Sequence, residues 1–304
     1  MAERDPYVRH RSGGSPRTAT FAALGGVLLA AAIVAGLAWG VTRAIREEPP
    51  PPPPPPPAAA TEPQLPTLKI VFPEGFTRAQ MAERIPAVNR IAKREKDIEP
   101  ALRAPAYLRA TQRGPVPDDF EDADYPHLEG FLFPATYEFT EETTSRQLAR
   151  MQLEAFATAW EKVDLEYASS KNLTAYDVLV IASMVEKEVQ VPRERPLVAA
   201  VIYNRLAAGM PLGIDATIRY GLGIPPTQAI LQSQLETDSP YNSRLRTGLP
   251  PTPIANPGLA SIQAAAHPAE VDHLFFIRKA DCKSHFFTAS EQEFLSYPRD
   301  GLNC

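Results

Sequence analysis

The 304-residue sequence predicts an α+β protein with an N-terminal transmembrane helix, a small α/β unit, and a mixed helix-rich domain with a short β-sheet. Three observations predict this layout. A long uncharged apolar run stands near the N-terminus. An unbroken proline block follows it. Beyond the block, helical apolar periodicities alternate with a few short β-branched and aromatic runs.

The apolar run is Phe21 to Val41, 21 residues without a charge. At a rise of about 1.5 Å per residue it reaches across a hydrocarbon core of roughly 30 Å. Arg4, Arg9, Arg11 and Arg17 precede it, whereas Arg43 and Arg46 beyond it are offset by Glu47 and Glu48. The positive-inside rule then makes residues 1–20 a cytoplasmic tail, 21–42 a single-pass membrane helix, and the remainder extracytoplasmic. A cleaved leader is the rival reading. The run exceeds the length of a leader's apolar segment, and the charged stretch Arg43 to Arg46 follows it, so an anchor is favoured.

Pro49 to Pro57 hold nine of the 33 prolines. Such a block forms a polyproline II rod of roughly 3.1 Å per residue. Residues 43–64 therefore read as a linker, and ordered structure is expected from about Leu65. A small unit over 65–112 and a larger domain over 113–304 follow.

Thr67 to Phe72 alternates as a strand does, and Pro73-Glu74-Gly75 ends it. Thr77 caps a helix carrying Ala79, Met81, Ala82 and Ile85. The Pro-rich, acidic stretch 100–127 reads as loop. Leu128 to Tyr137 is a compact aromatic stretch. Ser145 to Val163 reads as a helix with Leu148, Met151, Phe156 and Trp160 inward. Thr174 and Asp177 resemble a capping box for the next helix, whose apolar residues Val178, Ile181, Ala182, Val185 and Val189 share a face. Pro192 ends it. A helix from about Arg193 to Ala208 stops at Gly209. A polar, glycine-bounded loop then runs through Asp215 and Thr217. Leu259 to Ala266 is a short helix. His273 to Ile277 and His285 to Thr288 read as a strand pair, and Ser290 with Glu293 caps a last helix.

The net charge of −5 and the lack of a basic domain exclude a dedicated nucleic-acid binder. Five scattered histidines show no paired-ligand spacing, and there is no phosphate loop or Gly-x-Ser-x-Gly elbow, so neither metal nor cofactor is expected. His285, on a strand, reads as structural. An oxidising compartment permits a disulfide between Cys282 and Cys304, with two unpaired thiols as the alternative.

The densest chemistry lies between Ala182 and Gly221. Glu186 and Glu188 end an otherwise apolar helix. Two residues apart, they are separated by about 200° around the helix and do not face each other. They cannot form the convergent pair, roughly 5 to 9 Å apart, of an ordinary glycosidase. One can act alone or with a distant partner such as Asp215. Glu188 lies at the edge of the apolar stripe, where burial raises a carboxyl pKa as a general acid requires. The plainer reading makes both glutamates solvated charges at a helix end. Tyr203, Asn204 and Tyr220 read equally as sugar contacts or as packing.

At these residues the sequence resembles the MltG-like (YceG-like) endolytic murein transglycosylases. The resemblance rests on Leu128-Glu129-Gly130, Pro134-Ala135-Thr136-Tyr137, Glu186-Lys187-Glu188, Asn204-Arg205-Leu206, Gly209-Met210, Asp215, Thr217 and Tyr220-Gly221. Further on it rests on Ser239-Pro240-Tyr241-Asn242, Gly248 to Ile254 and Asn256-Pro257-Gly258. It covers about residues 65 to 290 in order. Gly213 and Ala216 depart from the family's usual Gln and Pro, and Ser243 from its Thr.

The resemblance implies that the small unit is a reduced LysM-like subdomain and that Glu188 is the catalytic acid, with Glu186 second in line. It implies a lytic transglycosylase that cuts the MurNAc–GlcNAc β-1,4 bond and leaves a 1,6-anhydro end. The substrate supplies the nucleophile, so no second carboxylate is required. Glu129, Asn204, Asp215, Thr217, Tyr220, Tyr241 and Asn242 are the implied positioning residues. Peptidoglycan strands, the inner membrane and peptidoglycan synthases are the implied partners, with termination of nascent strands as the role. A hydrolytic muramidase using Asp215, and a non-catalytic peptidoglycan-binding scaffold, stay open beside it.

Overall fold

A computed structural model describes residues 65–298. The expected tail (1–20), transmembrane helix (21–42), linker (43–64) and Cys304 lie outside these residues, and with Cys304 the expected Cys282–Cys304 pair. Among the described residues no helix is long and apolar enough to cross a membrane.

Strand β1 (Leu68–Val71) pairs antiparallel with β2 (Thr136–Phe139), placing Leu68 opposite Phe139 and Ile70 opposite Tyr137. Those four side chains are buried, while Lys69 and Glu138 pair on the outer face at 3.0 Å. This is the period-2 alternation of a half-buried sheet. Between the strands come α1 (Arg78–Lys96) and α2 (Ala104–Ala110). Thr77 caps α1 in a reciprocal capping box with Gln80. α1 continues through Pro86, with Met81, Ala82, Ile85 and Ala92 buried along it.

The stretch expected to be loop, 100–127, holds α2 and a 3-10 turn at Asp118–Phe120. Pro105 is tolerated in the first turn of α2, where its missing N–H has no helical partner. Tyr107 in α2 is wholly buried and donates to Oε1 of Gln152 at 2.5 Å. Phe120 is likewise buried, 5.0 Å from the Phe131 ring and 4.6 Å from that of Trp160. Tertiary burial, not local periodicity, orders this segment.

The helices α3 (Ser145–Trp160), α4 (Glu166–Ser170) and α5 (Ala175–Glu188) follow. Every residue from Val178 to Val185 is buried, so α5 is enclosed on all sides and not on one face alone. After a 3-10 turn at Pro192–Glu194 come α6 (Arg195–Ala207), α7 (Asp215–Leu222), α8 (Gln232–Leu235) and α9 (Leu259–Ala266). Small residues of α9, Ser261 and Ala264 to Ala266, are buried where it packs on α5. The glycine-bounded stretch expected as loop is thus helical from Asp215. Gly221 lets Tyr241 pack against this helix, because a Cβ there would stand 2.5 Å from Cβ of Tyr241.

The expected strand pair is β3 (Phe275–Arg278) with β4 (His285–Thr288), antiparallel, followed by α10 (Glu291–Ser296). One continuous core runs from Leu68 to Ala266, and the sheet β1–β2 straddles the boundary expected at 112/113. The two expected units therefore share their packing.

Candidate active site

Glu188 is the last residue of α5. Val189 turns extended, and Pro192 cannot continue the helix. The Glu188 side chain is half-buried. Burial is the main cause that raises its carboxyl pKa above the ordinary value. The charge of Arg278 opposes the rise, the charge of Asp215 adds to it, and the Ala216 N–H and Lys187 oppose it. The net result is a carboxyl that holds its proton longer than a solvated one.

The backbone N–H of Ala216, in the first turn of α7, lies close enough to Glu188 to lower its pKa. The first N–H groups of a helix lack internal acceptors, so α7 aims a ready donor at the carboxylate. The loop Ser239–Ser243 fixes that helix end. Ser243 Oγ accepts from Ile214 N at 2.9 Å and lies 2.9 Å from Thr217 Oγ1. Thr217 Oγ1 also donates to Ile214 O at 2.7 Å. Asn242 donates from Nδ2 to Leu235 O and Thr237 O at 2.9 and 2.8 Å. Thr217 and Asn242 are buried, so both hold the loop from behind and do not line a surface. Asp215 is half-exposed and bound to Arg244 at 2.7 Å.

A second carboxyl, Glu129, meets the same helix α7 through Tyr220. Glu129 is buried and accepts from Arg78 N at 2.9 and 3.2 Å, Asn256 Nδ2 at 2.7 Å and Tyr220 Oη at 3.2 Å. Burial pushes its pKa up to about 7 against these donors. It sits in the wall of a cavity of about 420 Å³ that Lys187, Ala216 and Tyr220 also line. Tyr241 packs edge-on to Tyr220 with ring centroids 5.2 Å apart, and its hydroxyl meets Thr252 Oγ1 at 2.9 Å. The charge of Lys187 interacts with Glu186, Glu188 and Glu129 alike, and its Nζ donates to Gly75 O at 3.2 Å.

Glu186 points elsewhere. Its Oε2 accepts from Gly258 N at 3.2 Å, at the start of α9. It neighbours Glu74, whose pKa is raised by burial first and by Glu186 second. Gly258 leaves room for this carboxylate, since a Cβ there would fall 1.9 Å from Glu74 Oε1 and displace the Glu74 side chain. The two glutamates of the triplet thus serve different neighbourhoods. Asn204 is also turned inward, donating to Val271 O and His273 O at 2.9 Å each.

Sequence reasoning missed three contributors. Asn256 Oδ1 accepts from Gly130 N and Leu132 N, both at 2.9 Å, while its amide holds Glu129. The available signal was an Asn directly before Pro257-Gly258. Arg278 reaches Glu188 from β3. Glu194, buried in the 3-10 turn, accepts from His285 N and lies 2.8 Å from His285 Nδ1. Neither of these last two carries a local signal.

The profile of the YceG-like family matches residues 58–299. The chain belongs to the YceG-like family. A curated protein of Bacillus subtilis named endolytic murein transglycosylase is 38% identical over 168 residues, 55% of this YceG-like chain and 46% of that protein. One of the same name from Streptococcus pneumoniae is 34% identical over 240 residues, 71% of this chain and 41% of that protein. The matched stretches cover less than half the length of these relatives. A crystal structure of a YceG-like protein from Listeria monocytogenes superposes with a TM-score of 0.63 at 30% identity, covering 76% of each chain.

Proposed function

We propose that this YceG-like chain is a membrane-anchored peptidoglycan lytic transglycosylase that cuts within glycan strands, with Glu188 as its acid and base. The observation that carries the reading is the setting of Glu188. It is a half-buried carboxyl with a raised pKa, served by one helix-end N–H, beside an Asp215 already bound to Arg244. Protonated Glu188 gives its proton to the glycosidic oxygen between MurNAc and GlcNAc as the C1–O bond breaks. The carboxylate then takes the proton of the muramyl 6-hydroxyl as O6 bonds to C1. Atoms balance without water, and the new end is a 1,6-anhydro sugar.

Glu129 and Tyr220, on the cavity, are the groups best placed to orient the glycan. Tyr241 supports Tyr220 from behind. Family membership and the names of the relatives support murein as substrate. The apolar run before the proline block supports attachment to the inner membrane with the site outside it. Work beside the synthases, ending nascent strands, follows from that location.

Mass spectrometry of purified glycan strands tests the reading. The wild type is expected to leave anhydro ends, and Glu188→Gln to leave strands uncut. Reducing ends would instead mean a hydrolytic muramidase. A wild type that cuts nothing would mean a peptidoglycan-binding scaffold.

A further inference from the structure

Arg278 closes β3, half-buried, and its charge reaches Glu188. Its guanidinium has no hydrogen bond and no ion pair among the described residues. Its nitrogens are not among the sealed, unpartnered polar atoms either, so its donors face solvent. The other arginines near the site are committed: Arg244 to Asp215, Arg205 to the carbonyls of Leu274, Pro211 and Leu212, and Arg195 to Ser261.

The backbone under Arg278 is fixed. Arg278 pairs with His285 across the hairpin. The N–H and Nδ1 of His285 are both held by Glu194, in the 3-10 turn just after Glu188. Asn204 and Arg205 hold the chain entering β3 through Val271, His273 and Leu274. A hairpin held to the 3-10 turn after Glu188 and to α6 therefore carries an unpaired guanidinium whose charge acts on Glu188. A guanidinium that faces solvent without a protein partner keeps its donors free for a ligand anion. The flat fork of arginine matches a carboxylate with two parallel hydrogen bonds.

We propose that Arg278 binds a carboxylate of the glycan strand next to the scissile bond, so that the site selects acidic, muramyl-bearing strands over neutral ones. This rests on the proposed function. Two carboxylates of one strand qualify: the lactyl carboxylate of a bare muramyl residue, and a free carboxylate of a peptide stem.

The test compares the full-length chain with its Arg278→Gln and Arg278→Lys variants. Four substrates are used: stem-bearing strands, strands stripped of stems, and each of these after amidation of its carboxylates. Arg278→Gln should raise KM about tenfold on acidic strands and leave KM on amidated strands unchanged. Arg278→Lys should recover part of the loss. The wild type should itself lose about tenfold in KM when its substrate is amidated, a contrast that needs no variant. Whether stem-bearing or stripped strands show the effect names the carboxylate. Equal losses on acidic and amidated strands would overturn the proposal. So would an unchanged KM with a displaced pH profile of kcat, which would mean that Arg278 acts on Glu188 alone. Binding of acidic and amidated strands to Glu188→Gln, with and without Arg278→Gln, reads the same contrast without turnover. The proposal is thereby tested even if the wild type cuts nothing.

Discussion

Ala216 and Tyr220 stand one turn apart on α7, and each acts on a different carboxyl: the Ala216 N–H lowers the pKa of Glu188, and Tyr220 Oη donates to Glu129 at 3.2 Å. Residues four apart share a helix face. One face of α7 therefore bridges the two raised acids, and both donors line the same cavity. Glu188 and the buried Glu129 are thus linked through a single short helix. Anything that moves α7 moves both.

The first prediction concerns stability against pH. The Glu129 carboxyl titrates at about 7 when folded and near 4.5 as a free group. Between those values the folded protein binds a proton that the unfolded chain has lost, so stability falls as pH rises. The contribution is full below the lower value, gone above the higher one, and amounts to about 3 kcal/mol. Urea unfolding from about pH 4 to about pH 8 should show this slope in the wild type, and Glu129→Gln should flatten it. An equal slope in both proteins would place the titrating group elsewhere.

The second prediction concerns the clamp on α7. Ser243→Ala leaves the Ile214 N–H without its acceptor in a buried setting and takes away a partner of Thr217. The expected loss is about 1–3 kcal/mol in urea unfolding. Because Ser243 sets where Ala216 points, kcat should fall as well, while Ser243→Thr keeps the hydroxyl and both properties. A destabilised Ser243→Ala with unchanged kcat would show that the start of α7 is not needed for turnover.

The legible parts of this molecule were those whose cause is local. Thr77 and Thr174 announce their helices through short-range capping partners, and α9 occupies Leu259–Ala266 as its apolar run between Gly258 and Pro268 implies. The β3–β4 pair follows from aromatic runs separated by a polar turn. The illegible parts have distant causes. α2 is short and carries Pro105 in its first turn, and it is secured by Tyr107 reaching Gln152, 45 residues away. Thr217 and Asn242 look like sugar contacts in a polar motif, yet their polar atoms are engaged within the protein, by backbone and by the Ser243 hydroxyl. A residue name gives the donors and acceptors of a side chain but not their direction. For the same reason Glu186 and Glu188 could be separated by helix geometry, whereas Asn256 and Arg278 became visible only once chain segments far apart in sequence were brought together.

The third prediction separates the two chemistries open to the site. Asp215→Asn removes the Arg244 ion pair, whose side chains are 43% and 46% exposed, so stability should change by no more than about 1 kcal/mol. It also removes a negative charge that helps to raise the Glu188 pKa. With that charge gone Glu188 ionises at lower pH, and the acid form needed for the first proton transfer disappears sooner as pH rises. The alkaline limb of the kcat profile should therefore move to lower pH, with turnover kept on the acidic side and anhydro ends unchanged. An Asp215 that activated water would behave differently, because its loss would abolish cleavage at every pH. Profiles of kcat against pH for the wild type and Asp215→Asn, with product masses at each point, decide between a residue that tunes Glu188 and one that performs the second half of a hydrolysis.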